Sequence, residues 1–246
     1  MSDIEAIRAE AKRREISRLT HFTPTRNLVH IATSGEGLKS TQMLLEEESS
    51  DFNQQDRLRL DGYPDHISCT IEYPNAYYYR SKQGNARGED RIFADWVCLL
   101  LSPKHLWAET TRLCPHNAAG VGGTRVAAGL NCFMSMFAEE VEAPGNIWKR
   151  EGHPPCCPTD AQAEVLVHRQ VPLEDITGIV VESASKAADT YVMLRALKAP
   201  VDELPLIVCP EFYAPAMLSG TLRAGQRPVE EAWHPPVDAG GETVDE

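Results

Sequence analysis

The feature that most constrains this chain is a carboxylate placed at the entrance of an apolar strand. In Asp160-Ala161-Gln162-Ala163-Glu164-Val165-Leu166-Val167-His168, the run Val165-Leu166-Val167, with Val171 close behind, is β-branched and aliphatic. Upstream, His153-Pro154-Pro155-Cys156-Cys157-Pro158 reads as a loop feeding a buried strand. An ionised Glu164 at that point must be solvated by a cleft, paired, or put to use. The pattern alone leaves two readings open: Glu164 marks the strand's solvent edge, or it is a functional group.

Other segments give the rest of the framework. Ile4 to Ile16 reads as an amphipathic helix, and Leu19-Thr20-His21-Phe22-Thr23 as a brief strand carrying His21. Pro24 breaks that strand, Thr25 to Ala32 forms the first turns of a helix, and Gly35 and Gly37 stop it. Leu38 to Asn53 is polar and mixed. His66 to Tyr73 alternates like a half-buried strand that ends at Pro74-Asn75, and Ser81 to Glu89 reads as a mobile connection. Trp96 to Leu101 is the most hydrophobic run and is expected at the centre of a sheet. Leu130 to Val141 suggests a short helix, and Glu142 to Thr159 a long loop ahead of Glu164. Ile176 to Val181 and Leu206 to Cys209 suggest two strands on either side of a helix over 184–197. Strands clustered in the middle and late, with helices mostly at the front, predict an α+β domain over residues 1–227. Residues 228–246, acidic and rich in Pro and Gly, read as a disordered tail.

Composition narrows the function. The apolar fraction of 42% suffices for a core, and no run of apolar residues is long enough to span a membrane. The N-terminus carries no basic-then-apolar signal, so a cytoplasmic protein is expected. Seven scattered cysteines without a CxxC pair suit reduced thiols, and His153, Cys156 and Cys157 lack the spacing of structural zinc ligands, so no metal is expected. A net charge of −12 argues against broad, phosphate-driven binding to nucleic acid, while leaving room for a local basic patch. Gly120-Val121-Gly122-Gly123-Thr124-Arg125 is not a nucleotide loop: Arg125 stands where GxGxxG needs its last glycine, and no strand leads directly into it. It is a flexible loop or one near a ligand. No GxSxG signature is present either.

Four blocks carry a resemblance: Thr20-His21-Phe22-Thr23 with Asn27-Leu28 and Ile31; Asp56 to Gly62; Ile67 to Asn75; and Asp160 to Val167. Together they resemble the DarT family of DNA ADP-ribosyltransferase toxins. The resemblance implies two packed antiparallel sheets split around an NAD cleft, with N-terminal helices. NAD is then a co-substrate, bound without a Rossmann unit. Glu164 becomes the catalytic carboxylate, with Arg59 or Arg57 holding NAD and acting in catalysis. His21, Thr23 and Asn27 shape the NAD cleft, and Tyr77 or Tyr78 lies near nicotinamide. The loop from Glu142 to Asp160 becomes the substrate-recognising loop, with Trp148, Lys149, Arg150 and also Arg125 expected on nucleic acid. Each keeps a structural alternative: His21 as a tie between strands, Tyr77 to Tyr79 as core aromatics, Arg125 as a surface charge.

The implied activity is mono-ADP-ribosylation of a base in single-stranded DNA by the toxin of a toxin–antitoxin or phage-defence system. Its partner would be an antidote, a macrodomain or similar hydrolase that removes ADP-ribose. Thymidine-modifying members carry a more aromatic strand than Ile67 to Tyr73, so guanine and thymine both stand as target bases. RNA as substrate, or a binding module without catalysis, are the alternatives.

Overall fold

The computed structural model describes residues 2–47, 60–85, 95–200 and 203–236. Arg57, Arg59 and residues 237–246 lie outside the described residues. The first part of the chain forms α1 (Asp3–Arg13), β1 (Leu19–Pro24), α2 (Leu28–Thr33), β2 (Leu38–Lys39), α3 (Thr41–Glu46), β3 (His66–Ile71), α4 (Ala76–Asn85), β4 (Trp96–Leu101) and β5 (Arg112–Cys114). There follow α5 (Leu130–Ser135), β6 (Glu140–Ala143), β7 (Asn146–Lys149), β8 (Glu164–His168), β9 (Gln170–Val171), β10 (Ile176–Val181), α6 (Ala184–Ala196), β11 (Leu206–Val208), α7 (Pro215–Arg223) and β12 (Glu231–Trp233).

Local chemistry explains several of these. A capping box starts α1: the Ser2 hydroxyl accepts from the Glu5 amide, and the Glu5 carboxylate accepts from the Ser2 amide. Its acidic first turn and basic last turn match the helix dipole. Asn75 Oδ1 accepts the Tyr78 amide at 3.0 Å and opens α4, which replaces the expected mobile connection up to residue 85.

Among the described residues, eight strands form one mixed sheet in the order β12-β11-β10-β4-β1-β3-β8-β5. Only the β10 and β11 pair is parallel. β4 is buried along its whole length and pairs with both β1 and β10, as its composition predicts. The expected pair of separate antiparallel sheets is instead this single sheet. Its narrowest seam lies between β1 and β3, where the register joins Leu19 to Ile71 and Thr20 to Thr70. β1 pairs with β4 from Leu19 to Pro24, so beyond Thr20 it follows β4 and parts from β3. The cleft opens at that parting.

Two short two-stranded sheets accompany the large one, β2 with β9 and β6 with β7. Both correct the sequence reading. Leu38 to Asn53 contains β2 and α3, and β2 owes its existence to pairing with a segment 133 residues later, at Leu38 to Val171. Gly37, with φ near +82° and no room for a Cβ beside the Val171 carbonyl, seats that pairing. Glu142 to Thr159 is no structureless loop: Ala143 and Asn146 close a hairpin through Pro144-Gly145, with Gly145 at φ +79°. The described part of the 228–246 tail, residues 228–236, also differs. Residues 231–233 add β12 to the sheet edge, and Glu230 is held by Arg18 through two bonds of 2.7 and 2.5 Å.

Candidate active site

Glu164 is the first residue of β8, opposite Cys114 of β5. The turn that delivers it is braced from several sides. The Thr159 amide donates to Met136 O at 2.8 Å, its hydroxyl to Ala138 O at 2.6 Å, and Asp160 Oδ1 accepts the Gln162 amide at 2.8 Å. Arg150 donates to the carbonyls of Cys157 at 2.7 Å and Pro154 at 3.1 Å.

The Glu164 side chain is only 7% exposed yet lines a cavity of about 360 Å³. Donors that reach its carboxylate include the Ser68 hydroxyl at 2.6 Å from Oε2 and the Ala118 amide at 3.2 Å from Oε1. Hydrogen-bond donors aimed at a carboxylate favour its ionised form. Of the two readings open from sequence, the strand-edge one gives way to a held acceptor at a cavity wall.

His21 stands across the parting of the sheet. Its Nδ1 lies 2.8 Å from the Ser68 carbonyl, which can only accept, so Nδ1 carries a proton. In the neutral ring Nε2 is then the acceptor. On the same side, Asn27 Nδ2 donates to Thr23 Oγ1 at 3.0 Å, while Asn27 Oδ1 is buried without a hydrogen-bond partner among the described residues. An acceptor in that state at a cavity wall suits a ligand that brings an N–H or O–H group. Tyr78 and Trp96, 6.2 Å apart at 79°, add an aromatic corner. A cavity of this size, mostly preformed and with few convergent polar groups, fits a nucleotide co-substrate.

The expected site residues therefore divide. His21, Thr23, Asn27, Tyr78 and Glu164 line one cavity. Tyr77 does not: it is 40% exposed and lies by a separate cavity of about 30 Å³. Arg125, Trp148, Lys149 and Arg150 stand outside the main cavity. Arg125 is exposed, Trp148 lies under the Arg223 guanidinium at 5.8 Å, and Lys149 pairs with Glu140 at 3.3 Å. Arg150 is engaged with carbonyls of its own loop. Among the described residues no group of three or more His, Cys, Asp or Glu is placed to hold a metal, and no helix is long and apolar enough to cross a membrane.

Sequence reasoning missed Ser68, Ala118 and Trp96. Ser68 is one of the polar positions in an alternating strand, and its sequence carries nothing that points to Glu164. Asn117 and Ala119, just ahead of the Gly120 to Arg125 loop, also line the cavity.

Asp160 is a charged group with a measurable consequence. Burial pushes its carboxyl up to about 6, against the opposing pull of the Gln162 amide and His116. A carboxyl raised on folding contributes stability in its protonated form, and that contribution is lost as pH rises through about 6. Asp160→Asn removes the buried charge. It should raise stability at pH 8 by on the order of 2 kcal/mol and leave it nearly unchanged at pH 4, as thermal melts at the two pH values would read.

Fold and site together define an α+β protein whose mixed sheet carries a clamped carboxylate at the wall of a cavity between β1 and β3. The family model for ssDNA thymidine ADP-ribosyltransferase, DarT, matches residues 20–214, which include all four sequence blocks. This chain belongs to the DarT family. DarTG of Thermosipho africanus, in complex with ADP-ribose, has a similar fold, with TM-score 0.55, 14% identity, and coverage of 80% of this chain and 51% of that one. The chain thus spans about half the length of that relative. DarT of Thermus sp. 2.9 in complex with NAD+ aligns at TM-score 0.52 and 13% identity, covering 81% of this chain and 98% of that one. The same protein with carba-NAD+ gives 0.52 and 15%, again over 81% and 98%. At these identities the likeness concerns the fold. No curated protein matches the chain.

Proposed function

We propose that this protein transfers ADP-ribose from NAD to thymidine in single-stranded DNA, as the toxin of a toxin–antitoxin pair whose antidote removes the modification. The observation that carries this reading is the family match over residues 20–214 together with Glu164, held by the Ser68 hydroxyl and the Ala118 amide at the wall of the cavity that His21 also lines. Of the two bases left open by the sequence, the family description favours thymidine. The Thermosipho and Thermus relatives, bound to ADP-ribose and to NAD+, support the cleft as the NAD site.

NAD supplies the electrophile: its bond to nicotinamide breaks as the ribose carbon turns cationic, and a ring nitrogen of the base takes its place. The chain's own residues do the rest. The carboxylate of Glu164 stabilises developing positive charge and accepts the proton that the base nitrogen gives up. His21, its proton fixed on Nδ1, offers Nε2 to a ribose hydroxyl. Asn27, oriented by Thr23, offers Oδ1 to a second donor, and Tyr78 and Trp96 provide a surface for a flat ring. Closing these groups around one bent substrate removes the entropy of assembling them during reaction. Single-stranded substrate spares the cost of pulling a base from a duplex, a few kcal/mol. Arg59 or Arg57 is proposed as the NAD-holding cation, and Arg125 as a contact to the DNA strand.

Incubating the protein with NAD and single-stranded oligonucleotides that each contain one kind of base, followed by mass spectrometry, tests the reading. The expected product is a thymidine-containing strand heavier by one ADP-ribose. Modification of guanine-containing DNA, of RNA, or of neither would overturn it in favour of the corresponding alternative.

A further inference from the structure

Ser68 touches both halves of the site. The β3 and β8 register sets Cys69 opposite Val165, so Thr70 faces Glu164 and Ser68 sits on the same face, one diagonal step away. Its hydroxyl donates to Glu164 Oε2 at 2.6 Å, while its carbonyl accepts from His21 Nδ1 at 2.8 Å. The other carboxylate oxygen is held by the Ala118 amide at 3.2 Å. That amide belongs to a turn fixed in its own right: Asn117 Oδ1 accepts the Gly120 amide at 3.2 Å, and His116 Nδ1–H donates to the Asn117 carbonyl at 2.8 Å.

We infer that Ser68 is a positioning residue for the transfer reaction: with the Ala118 amide it clamps the Glu164 carboxylate and sets its plane, and its carbonyl holds the His21 ring of β1 across the parting. The inference rests on the proposed ADP-ribose transfer. The terminal torsion of a glutamate is broad, so an unclamped carboxylate samples many planes, of which few aim an oxygen at the reacting carbon. A short bond from a hydroxyl to a carboxylate also favours the ionised form, the one that accepts a proton. The backbone carbonyl of residue 68 survives any substitution there. The side chain can therefore be varied while the His21 contact stays.

The test uses Ser68→Ala and Ser68→Thr in the full chain, with turnover, pH dependence and NMR read together. Ser68→Ala should lower kcat by roughly 10- to 100-fold, the loss expected for one charge-assisted hydrogen bond, with KM for NAD within about threefold. The acid limb of its rate profile should move to higher pH, because the ionised carboxylate has lost a donor. Ser68→Thr, which keeps the hydroxyl, should stay within about threefold of wild type. Independently of activity, the Ala118 amide proton reports the ionisation of its acceptor, and its pH midpoint should rise in Ser68→Ala. A kcat within twofold of wild type with an unmoved acid limb overturns the inference. If wild type itself transfers nothing, the functional reading fails, and the Ala118 titration still decides the clamp: equal midpoints in the two proteins overturn it.

Discussion

Glu164→Gln should abolish transfer while leaving NAD bound. The substitution keeps length and shape: its one amide oxygen can accept from the Ala118 amide while its NH2 group donates to the Ser68 hydroxyl, so β8 and the cavity wall are retained. What it removes is the charge opposite a cationic sugar and the base for the departing proton. Electrostatic stabilisation and general base catalysis each contribute about 10²-fold or more, so a loss of about 10³- to 10⁴-fold in kcat is expected, with NAD affinity by calorimetry within severalfold. Host toxicity on expression should disappear with it. A variant that retains a tenth of wild-type turnover would remove Glu164 from the reaction.

The largest expected effect on stability belongs to Arg18, which does not line the main cavity. Its guanidinium makes a two-point bond to Glu230 at 2.7 and 2.5 Å, donates through Nε to the Glu72 carbonyl at 2.9 Å, and lies over the Tyr73 and Phe212 rings. The Glu72 it supports holds a backbone conformation at φ +63° that non-glycine residues rarely adopt, with its carboxylate bound to the amide and hydroxyl of Ser17, each at 2.8 Å. Arg18→Ala strips one side of a largely buried pair and leaves Glu230 without its counter-charge. That costs about 3–5 kcal/mol, or roughly 6–20 °C in Tm for a chain of this size. Arg18→Met combined with Glu230→Gln should cost less than Arg18→Ala alone, since no buried charge is then left unmatched. Thermal denaturation of the two variants separates the cases; equal losses would assign the effect to packing on the rings instead.

The elements legible in the sequence are those written in local chemistry. The helix over α1 follows from its periodicity and caps, β4 from six consecutive apolar residues, and β8 from an aliphatic run behind a proline-rich loop. Glu164 stood out because a carboxylate entering an apolar strand needs a reason, and its neighbours along the chain supply none. α4 was less visible. Its cap, Asn75, follows a proline that ends a strand, and three tyrosines in succession resemble strand as much as helix.

The single sheet, the seam at β1 and β3, and β2 were hidden for a common reason. Each is a pairing between distant segments. A two-residue strand such as β2 has no propensity of its own to read, and exists because β9 lies beside it.

By itself, then, the sequence determined the elements with strong local patterns, α1, β4 and β8 among them, and placed a carboxylate at the mouth of an apolar strand. Tertiary structure alone decided what meets it: Ser68 lies 96 residues away along the chain, Ala118 46 residues away, and the Arg18 and Glu230 tie spans 212. Helix caps and apolar runs act over a few residues, where the chain's own spacing fixes the geometry. A hydrogen bond between strands depends on register, and register is set by the collective burial of whole strand faces rather than by the two residues that bond.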